Sequence, residues 1–131
     1  MNQYMNPDLA NEIGQAFVQS YYTFFDSLNL GQLITLYGPD AQWYFEDKKA
    51  VGHEAIKQAL GSLTFKAIQH VVTKIDCQPT VEGGVLVLVT GRLKTDDDPP
   101  HAYSQVFYIK KLPDSYFLFH DMFRLSIHDS A

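Results

Sequence analysis

Val85-Leu86-Val87-Leu88-Val89-Thr90-Gly91-Arg92-Leu93-Lys94-Thr95-Asp96-Asp97-Asp98-Pro99-Pro100 is the stretch on which the reading of the chain turns. An apolar strand, Val85 to Leu93, runs into three successive aspartates. Two prolines follow and stop further pairing, since proline has no N–H to give to a ladder. A second strand, Ala102 to Lys111, leaves the turn. The connection therefore concentrates negative charge at the end of a strand pair. It reads equally as a solvated hairpin connection and as a recognition rim for a Lys or Arg of a partner.

Working outward, Glu82-Gly83-Gly84 forms a tight turn back to a strand from Ile68 to Cys77. On the other side, Leu112-Pro113-Asp114-Ser115 leads into a strand from Tyr116 to His128. The first half of the chain has a different period. Asn6 is a candidate cap and Pro7 suits a first helical turn. Leu9, Ile13, Phe17, Tyr21, Phe24 and Leu28 then recur at helical spacing. Asn29 caps a short second helix bearing Leu30, Leu33, Ile34 and Tyr37, which Gly38-Pro39-Asp40 ends. An aromatic strand, Gln42 to Glu46, turns at Asp47-Lys48-Lys49 into a brief return strand, Ala50-Val51. Ala55, Ile56, Ala59, Leu60 and Leu63 give a third helix that ends near Gly61 and Ser62. Helices first and a meander of long antiparallel strands afterwards predict an α+β fold. Three helices pack on one face of a bent antiparallel sheet, in one domain spanning residues 1–131.

Composition narrows the function. The chain has 131 residues, 46% hydrophobic and 14% aromatic, with a formal charge of −5. Acid repels phosphate, which argues against direct nucleic-acid binding and permits a basic partner. Cys77 stands alone, so no intrachain disulfide is expected and a reducing compartment is the simpler setting. No signal-peptide pattern and no membrane-spanning run is visible. A soluble intracellular protein is expected.

The strand faces predict an assembly. In Tyr116 to Ile127 one parity carries Phe117, Phe119, Asp121, Phe123, Leu125 and Ile127; the other carries Tyr116, Leu118, His120, Met122, Arg124 and Ser126. Val85 to Val89 is apolar on both parities. A sheet with helices on one side and water on the other should alternate cleanly. Too few helices exist to cover both faces, so a second copy packed sheet to sheet is expected. Leu88, Val106, Leu118 and Met122 are its seam.

An enzyme would need an acid and a base in one pocket. Glu46, His70, Asp76, Asp121, His120 and His128 are the titratable groups near the sheet. The chain has no glycine-rich phosphate loop, no His/Cys cluster at metal-ligand spacing and no nucleophile elbow, so no cofactor or metal is expected. His70 reads as a satisfied strand histidine, and Asp121 as an acid at the cavity wall or in a β-bulge, bonded to nearby amides.

Several segments together carry a resemblance: Gly91 to Pro99, Ile68-Gln69-His70, Asp121-Met122-Phe123-Arg124-Leu125, Phe17-Val18-Gln19-Ser20-Tyr21-Tyr22 and Gln78-Pro79-Thr80. From about Ile13 to His128 the chain resembles the nuclear transport factor 2 family. The resemblance implies a cone-shaped bent sheet, a homodimer and a non-enzymatic import carrier for the GDP form of the small GTPase Ran. It also implies binding to phenylalanine-glycine-repeat nucleoporins and a place in cytoplasm and nucleus, enriched at the nuclear envelope and pores. In the family an aromatic side chain of the GTPase enters the cone mouth while rim acids pair with basic groups. Carried over, the rim acids are Glu46, Asp96 and Asp98; Asp97, on the opposite parity to Asp96 and Asp98, is expected to face water. The cavity is lined by Phe45, Leu63, Ile68 and Phe123, with Leu93 and His101 near its mouth. Many members have Trp where Phe45 stands. The family's Trp for nucleoporin phenylalanines falls at Ala10, leaving Met5, Leu9 and Ala10, or Tyr4, at that place. Two alternatives share the fold. One is a small-molecule-binding or isomerase- or dehydratase-type enzyme working in the cone. The other is a heterodimerising mRNA-export subunit.

Overall fold

The computed structural model describes residues 4–126. The expected strand end at Ile127 and His128, and His128 as a titratable group, lie outside the described residues. Helix α1, Pro7–Asp26, starts where Asn6 accepts the Asp8 N–H through its side chain, with proline in the first turn. Its buried stripe of Phe17, Val18, Tyr21, Tyr22 and Phe25 lies across the sheet. Asn29 caps α2, Leu30–Leu33, by accepting the Gln32 N–H. A 3-10 turn, Ile34–Leu36, delivers the chain to β1, Tyr37–Phe45. Strand β2, Lys48–Val51, and α3, His53–Gly61, follow. The rest is strand: β3 Ile68–Pro79, β4 Val85–Thr95, β5 His101–Leu112 and β6 Ser115–Leu125.

These strands make one six-stranded sheet in the order β2-β1-β6-β5-β4-β3. It is mixed rather than wholly antiparallel, because β1 runs parallel to β6. The three-helix layout stands; the all-antiparallel expectation does not. Local signals fix hairpins, but β1 and β6 are paired by a crossover from the other end of the chain. Gly38-Pro39-Asp40 also differs from expectation. It lies within β1, where the register against β6 slips between Tyr37 and Gln42.

A second slip decides which way β6 faces. Leu118 pairs with Ile109, and His120 pairs with Tyr108, leaving Phe119 as an extra residue. Such a bulge reverses the parity on its two sides. Leu118 therefore turns inward and is fully buried, while Asp121 and Phe123 also face in. Leu118 is not a seam residue. Leu88 and Met122 remain on the outer face, 41% and 47% exposed, with Val106 half-buried between them.

The core fills the space between α1, α3 and the concave face. Trp43, Tyr21, Tyr103, Phe25 and Phe107 are its largest fully buried side chains. Each buried ring of this kind contributes about 1.5–3 kcal/mol. At Gly91 a β-carbon would collide with the Val71 carbonyl oxygen. The position faces Val72, beside the step in register between Val72 and Lys74. The bare backbone lets β3 and β4 close up at this step.

Candidate functional site

Strand directions bring one end of the sheet together. There β1, β4 and β6 finish while β3 and β5 begin. Aromatic rings stack across this end. Trp43 stacks on Phe45 at 5.8 Å, Phe45 on Phe123 at 4.7 Å, and Phe123 on Tyr103 at 5.0 Å. Ile68, Leu93 and Phe123 are buried beneath, while Phe45 and Leu63 are half-buried and open the surface. His101, opposite Leu93 in the ladder, is exposed at the edge. Phe65, 6.4 Å from Phe45 and half-buried, belongs to the same patch. The sequence reading missed it; its signal was a lone aromatic in the link between α3 and β3.

Two left-handed acids frame the patch. Glu46 has φ 56° at the β1–β2 turn, a conformation that costs an L-residue roughly 1–3 kcal/mol. Its N–H donates to the Phe123 carbonyl at 3.1 Å, and its Oε1 accepts the Leu125 N–H at 2.5 Å. Asp96 has φ 45° in a turn closed by the Asp98 N–H to the Thr95 carbonyl. Its Oδ1 accepts two amides, Lys66 at 2.8 Å and Ala67 at 2.9 Å, and its N–H donates to the Ala67 carbonyl. Asp96 thus ties the α3–β3 link, with Leu63 and Phe65, to the acidic turn. Asp97 and Asp98 are exposed. The Lys94 Nζ donates to the carbonyls of Asp96 and Asp98 at 3.0 and 2.6 Å, folding the turn around one internal cation.

Beneath the patch lies a buried polar chain. Asp121 Oδ2 accepts the hydroxyls of Tyr21 and Tyr37 at 2.6 and 2.7 Å, and Oδ1 accepts Gln105 Nε2 at 2.7 Å. Tyr103 donates to Tyr22, and Tyr22 to Gln105 Oε1. Burial pushes the Asp121 carboxyl above its ordinary value, against the pull of these three hydrogen bonds. Burial likewise raises Tyr21, Tyr22 and Tyr37, and lifts Tyr103 to about 12, so all four remain hydroxyl donors near neutral pH. His70 stacks on Tyr22 at 4.1 Å. Its Nδ1 lies 2.6 Å from Asp26 Oδ1, and its backbone N–H donates to Asp26 Oδ2. His70 and Asp121 face one interior but bond to different partners, His70 through Nδ1 to Asp26 and Asp121 to Tyr21, Tyr37 and Gln105. They do not form an acid/base pair at an open volume. Among the described residues no group of three His, Cys, Asp or Glu could hold a metal.

The expected nucleoporin residues divide. Ala10 is fully buried against the core and offers no surface. Leu9 is 47% exposed, and Met5 is half-buried against the core. A hollow of about 570 Å³ opens at the next residue, Asn11 of α1, lined also by Ile75, Asp76, Cys77, Gln78, Leu86 and Leu88; Met5, Leu9 and Ala10 do not line it.

A bent sheet, helices on its concave side and an acid-framed aromatic patch at one end define a small binding domain of the cone-shaped α+β class. Residues 13–125 match the nuclear transport factor 2 (NTF2) domain. A Caenorhabditis elegans protein named probable nuclear transport factor 2 is 39% identical over 131 residues, spanning 95% of this chain and 98% of that one. The solved structure of nuclear transport factor 2 from Cryptosporidium parvum superposes with TM-score 0.86 at 37% identity, covering 93% of this chain and 98% of that chain. A Novosphingobium aromaticivorans structure named for scytalone dehydratase superposes with TM-score 0.75, covering 92% and 87% of the two chains; at 15% identity it shares the fold alone. The chain belongs to the nuclear transport factor 2 family, a family of nuclear transport factors.

Proposed function

We propose that this chain is an import carrier for the GDP-bound form of the GTPase Ran, working as a homodimer between cytoplasm and nucleus. The observation that carries the reading is the half-buried patch of Phe45, Leu63 and Phe65, held between the Glu46 turn and the Asp96–Asp98 turn. An aromatic side chain of the partner enters the patch, above Ile68, Leu93 and Phe123, with His101 at its edge. Burying one ring is worth roughly 1.5–3 kcal/mol, whereas one exposed ion pair is worth about 0.2–1 kcal/mol. The patch anchors; Glu46 and Asp98 orient basic groups and raise the on-rate. Asp96 acts differently, by fixing the loop that carries Leu63 and Phe65. The homodimer closes over Leu88, Val106 and Met122.

Nucleoporin phenylalanines dock in the hollow beside Asn11, Cys77 and Leu86, at the margin of the seam that closes over Leu88; exposed Leu9 and half-buried Met5 precede it along the chain. Contact of this kind places the carrier at nuclear pores. The decisive experiment is a binding assay of the purified chain against Ran loaded with GDP and, separately, with GTP. Binding to the GDP form alone supports the reading. Equal binding to both forms, or to neither, sinks it.

A further inference from the structure

The acidic turn cannot close on its own main chain. The Thr95 carbonyl receives the Asp98 N–H at 2.9 Å, with Asp96 between them at φ 45°, a conformation unfavourable to an L-residue. Pro99 and Pro100 follow, and neither has an N–H to continue the ladder. Lys94, the last residue but one of β4, supplies donors in their place. Its Nζ bonds to the Asp96 carbonyl at 3.0 Å and to the Asp98 carbonyl at 2.6 Å. A lysine beside three aspartates is drawn to their carboxylates by charge. Lys94 nonetheless forms no ion pair with Asp96, Asp97 or Asp98. Asp96 spends one oxygen on the Lys66 and Ala67 amides, while the Asp97 and Asp98 carboxylates have no partner among the described residues. The cation ties the main chain and leaves the anionic groups open.

Two roles for this ammonium predict opposite signs. As a charge alone, it repels a basic partner, and its removal should tighten binding. As a clamp, it fixes the main chain from which the Asp98 carboxylate projects, and its removal should loosen binding. Both of its contacts are carbonyls of residues that bear the acids, which is the bonding of a clamp. We infer that Lys94 is a positioning residue of the proposed Ran-binding site, holding the Asp96 and Asp98 carbonyls so that the Asp98 carboxylate meets a basic group of the partner. A turn ordered beforehand spares the partner the cost of ordering it. The field that steers the partner survives, because Glu46 and three aspartates stand against one ammonium.

This role rests on the carrier reading, and the test separates the two. Association and dissociation rates with Ran loaded with GDP are read by biolayer interferometry. The full chain is used as wild type, Lys94→Met, Lys94→Arg, Asp98→Ala and the double variant Lys94→Met with Asp98→Ala. Methionine keeps much of the apolar stem and removes the charge and both bonds. In Lys94→Met the on-rate should stay level or rise by up to about twofold, since a repelling charge is gone. The off-rate should rise roughly fivefold, about the worth of one exposed ion pair. Lys94→Arg keeps a cation and its donors and should return the off-rate to within about twofold of wild type. In the Asp98→Ala background, Lys94→Met should change the off-rate by less than about twofold, because the acid it positions is absent. A merely loosened fold would keep its full effect there. Amide hydrogen exchange of the free chain reads the turn itself: the Asp98 N–H should exchange several-fold faster in Lys94→Met and near the wild-type rate in Lys94→Arg. Tighter binding, an unchanged off-rate or unchanged exchange in Lys94→Met overturns the role of Lys94 alone. So does a loss that Lys94→Arg does not return, or one undiminished in the Asp98→Ala background. A wild-type chain that does not bind Ran-GDP overturns the carrier reading and this role with it.

Discussion

At the scale of single residues, the acids of this chain do three different jobs. Glu46 combines a structural acceptor with a charge, since one oxygen holds the Leu125 N–H while the turn sits at positive φ. Glu46→Gln keeps an acceptor and removes the charge. Its binding to Ran-GDP, read by titration calorimetry, should weaken by about fivefold at most, with the melting temperature nearly unchanged. Glu46→Ala removes both and should also lose stability, by about 1 kcal/mol or a few degrees. Asp96 separates the same way. Asp96→Asn can still receive the Lys66 and Ala67 amides, whereas Asp96→Ala frees the link that carries Phe65. The alanine variant should therefore bind worse than the asparagine one by more than a lost charge explains. Asp121 lies at the other extreme, buried and charge-penalised. Its folded pKa stands above the ordinary 3.8, so the folded chain holds the extra proton. That contribution is fully present below about 3.8 and is lost as pH rises through the raised folded value. In Asp121→Asn an amide N–H faces donor groups, at a cost of about 1–3 kcal/mol. The wild-type advantage in melting temperature over Asp121→Asn should shrink as pH goes from 4 to 7. An advantage that grows instead would contradict burial as the dominant cause.

At the scale of elements, α1 shows how close packing overrides propensity. Gly14 sits mid-helix, where alanine is favoured by roughly 0.5–1 kcal/mol. Yet a β-carbon there would collide with Cys77 Sγ and lie 3.1 Å from Val87 Cγ2. Gly14→Ala should therefore destabilise, by about 1–3 kcal/mol of overpacking. Adding Cys77→Ala should return part of that loss, a coupling that a double-mutant cycle of urea melts would measure. No return would mean that Val87 and the strand backbone, not the thiol, set the limit. The caps and stripes of the helices were legible because they are local: Asn6, Pro7 and Asn29 do what their chemistry dictates. The strands after Ile68 were legible as runs with turns between them. What escaped was non-local. The parallel β1–β6 pairing has no signature within either strand, and the extra residue at Phe119 inverts a parity that looked regular. The same limit governed the site. Glu46 and the acidic turn were readable as charge, but not that Asp96 would turn back onto the Lys66 and Ala67 amides. Ala10 was placed at a surface that its zero exposure denies.

At the scale of the molecule, the two proposed binding functions sit in different territory. The acid-framed patch is built within one chain, at the end of its own sheet and beside its own α3–β3 link. The hollow beside Asn11 reaches Leu86 and Leu88, which lie on the outer face that a second copy would cover. Disrupting the seam should therefore uncouple them. Met122 is 47% exposed in the single chain and central in the cross-strand row between Tyr44 and Val106. A carboxylate there stays solvated in a monomer, but in a homodimer it would be buried opposite apolar groups and near its own copy, without a partner. Met122→Glu should leave the chain folded, with a melting temperature governed by the single-chain core. By sedimentation it should be a monomer at concentrations where the wild type is a dimer. Binding to Ran-GDP should persist within a few fold, because Glu46, Phe45, Phe65 and Asp98 are untouched. Binding to a phenylalanine-glycine peptide, read by fluorescence anisotropy, should fall much further, because the second copy proposed to lie over Leu88 and flank the hollow is gone. Parallel loss of both activities in a folded monomer would mean that the patch also needs the second copy, and that the division of territory is wrong.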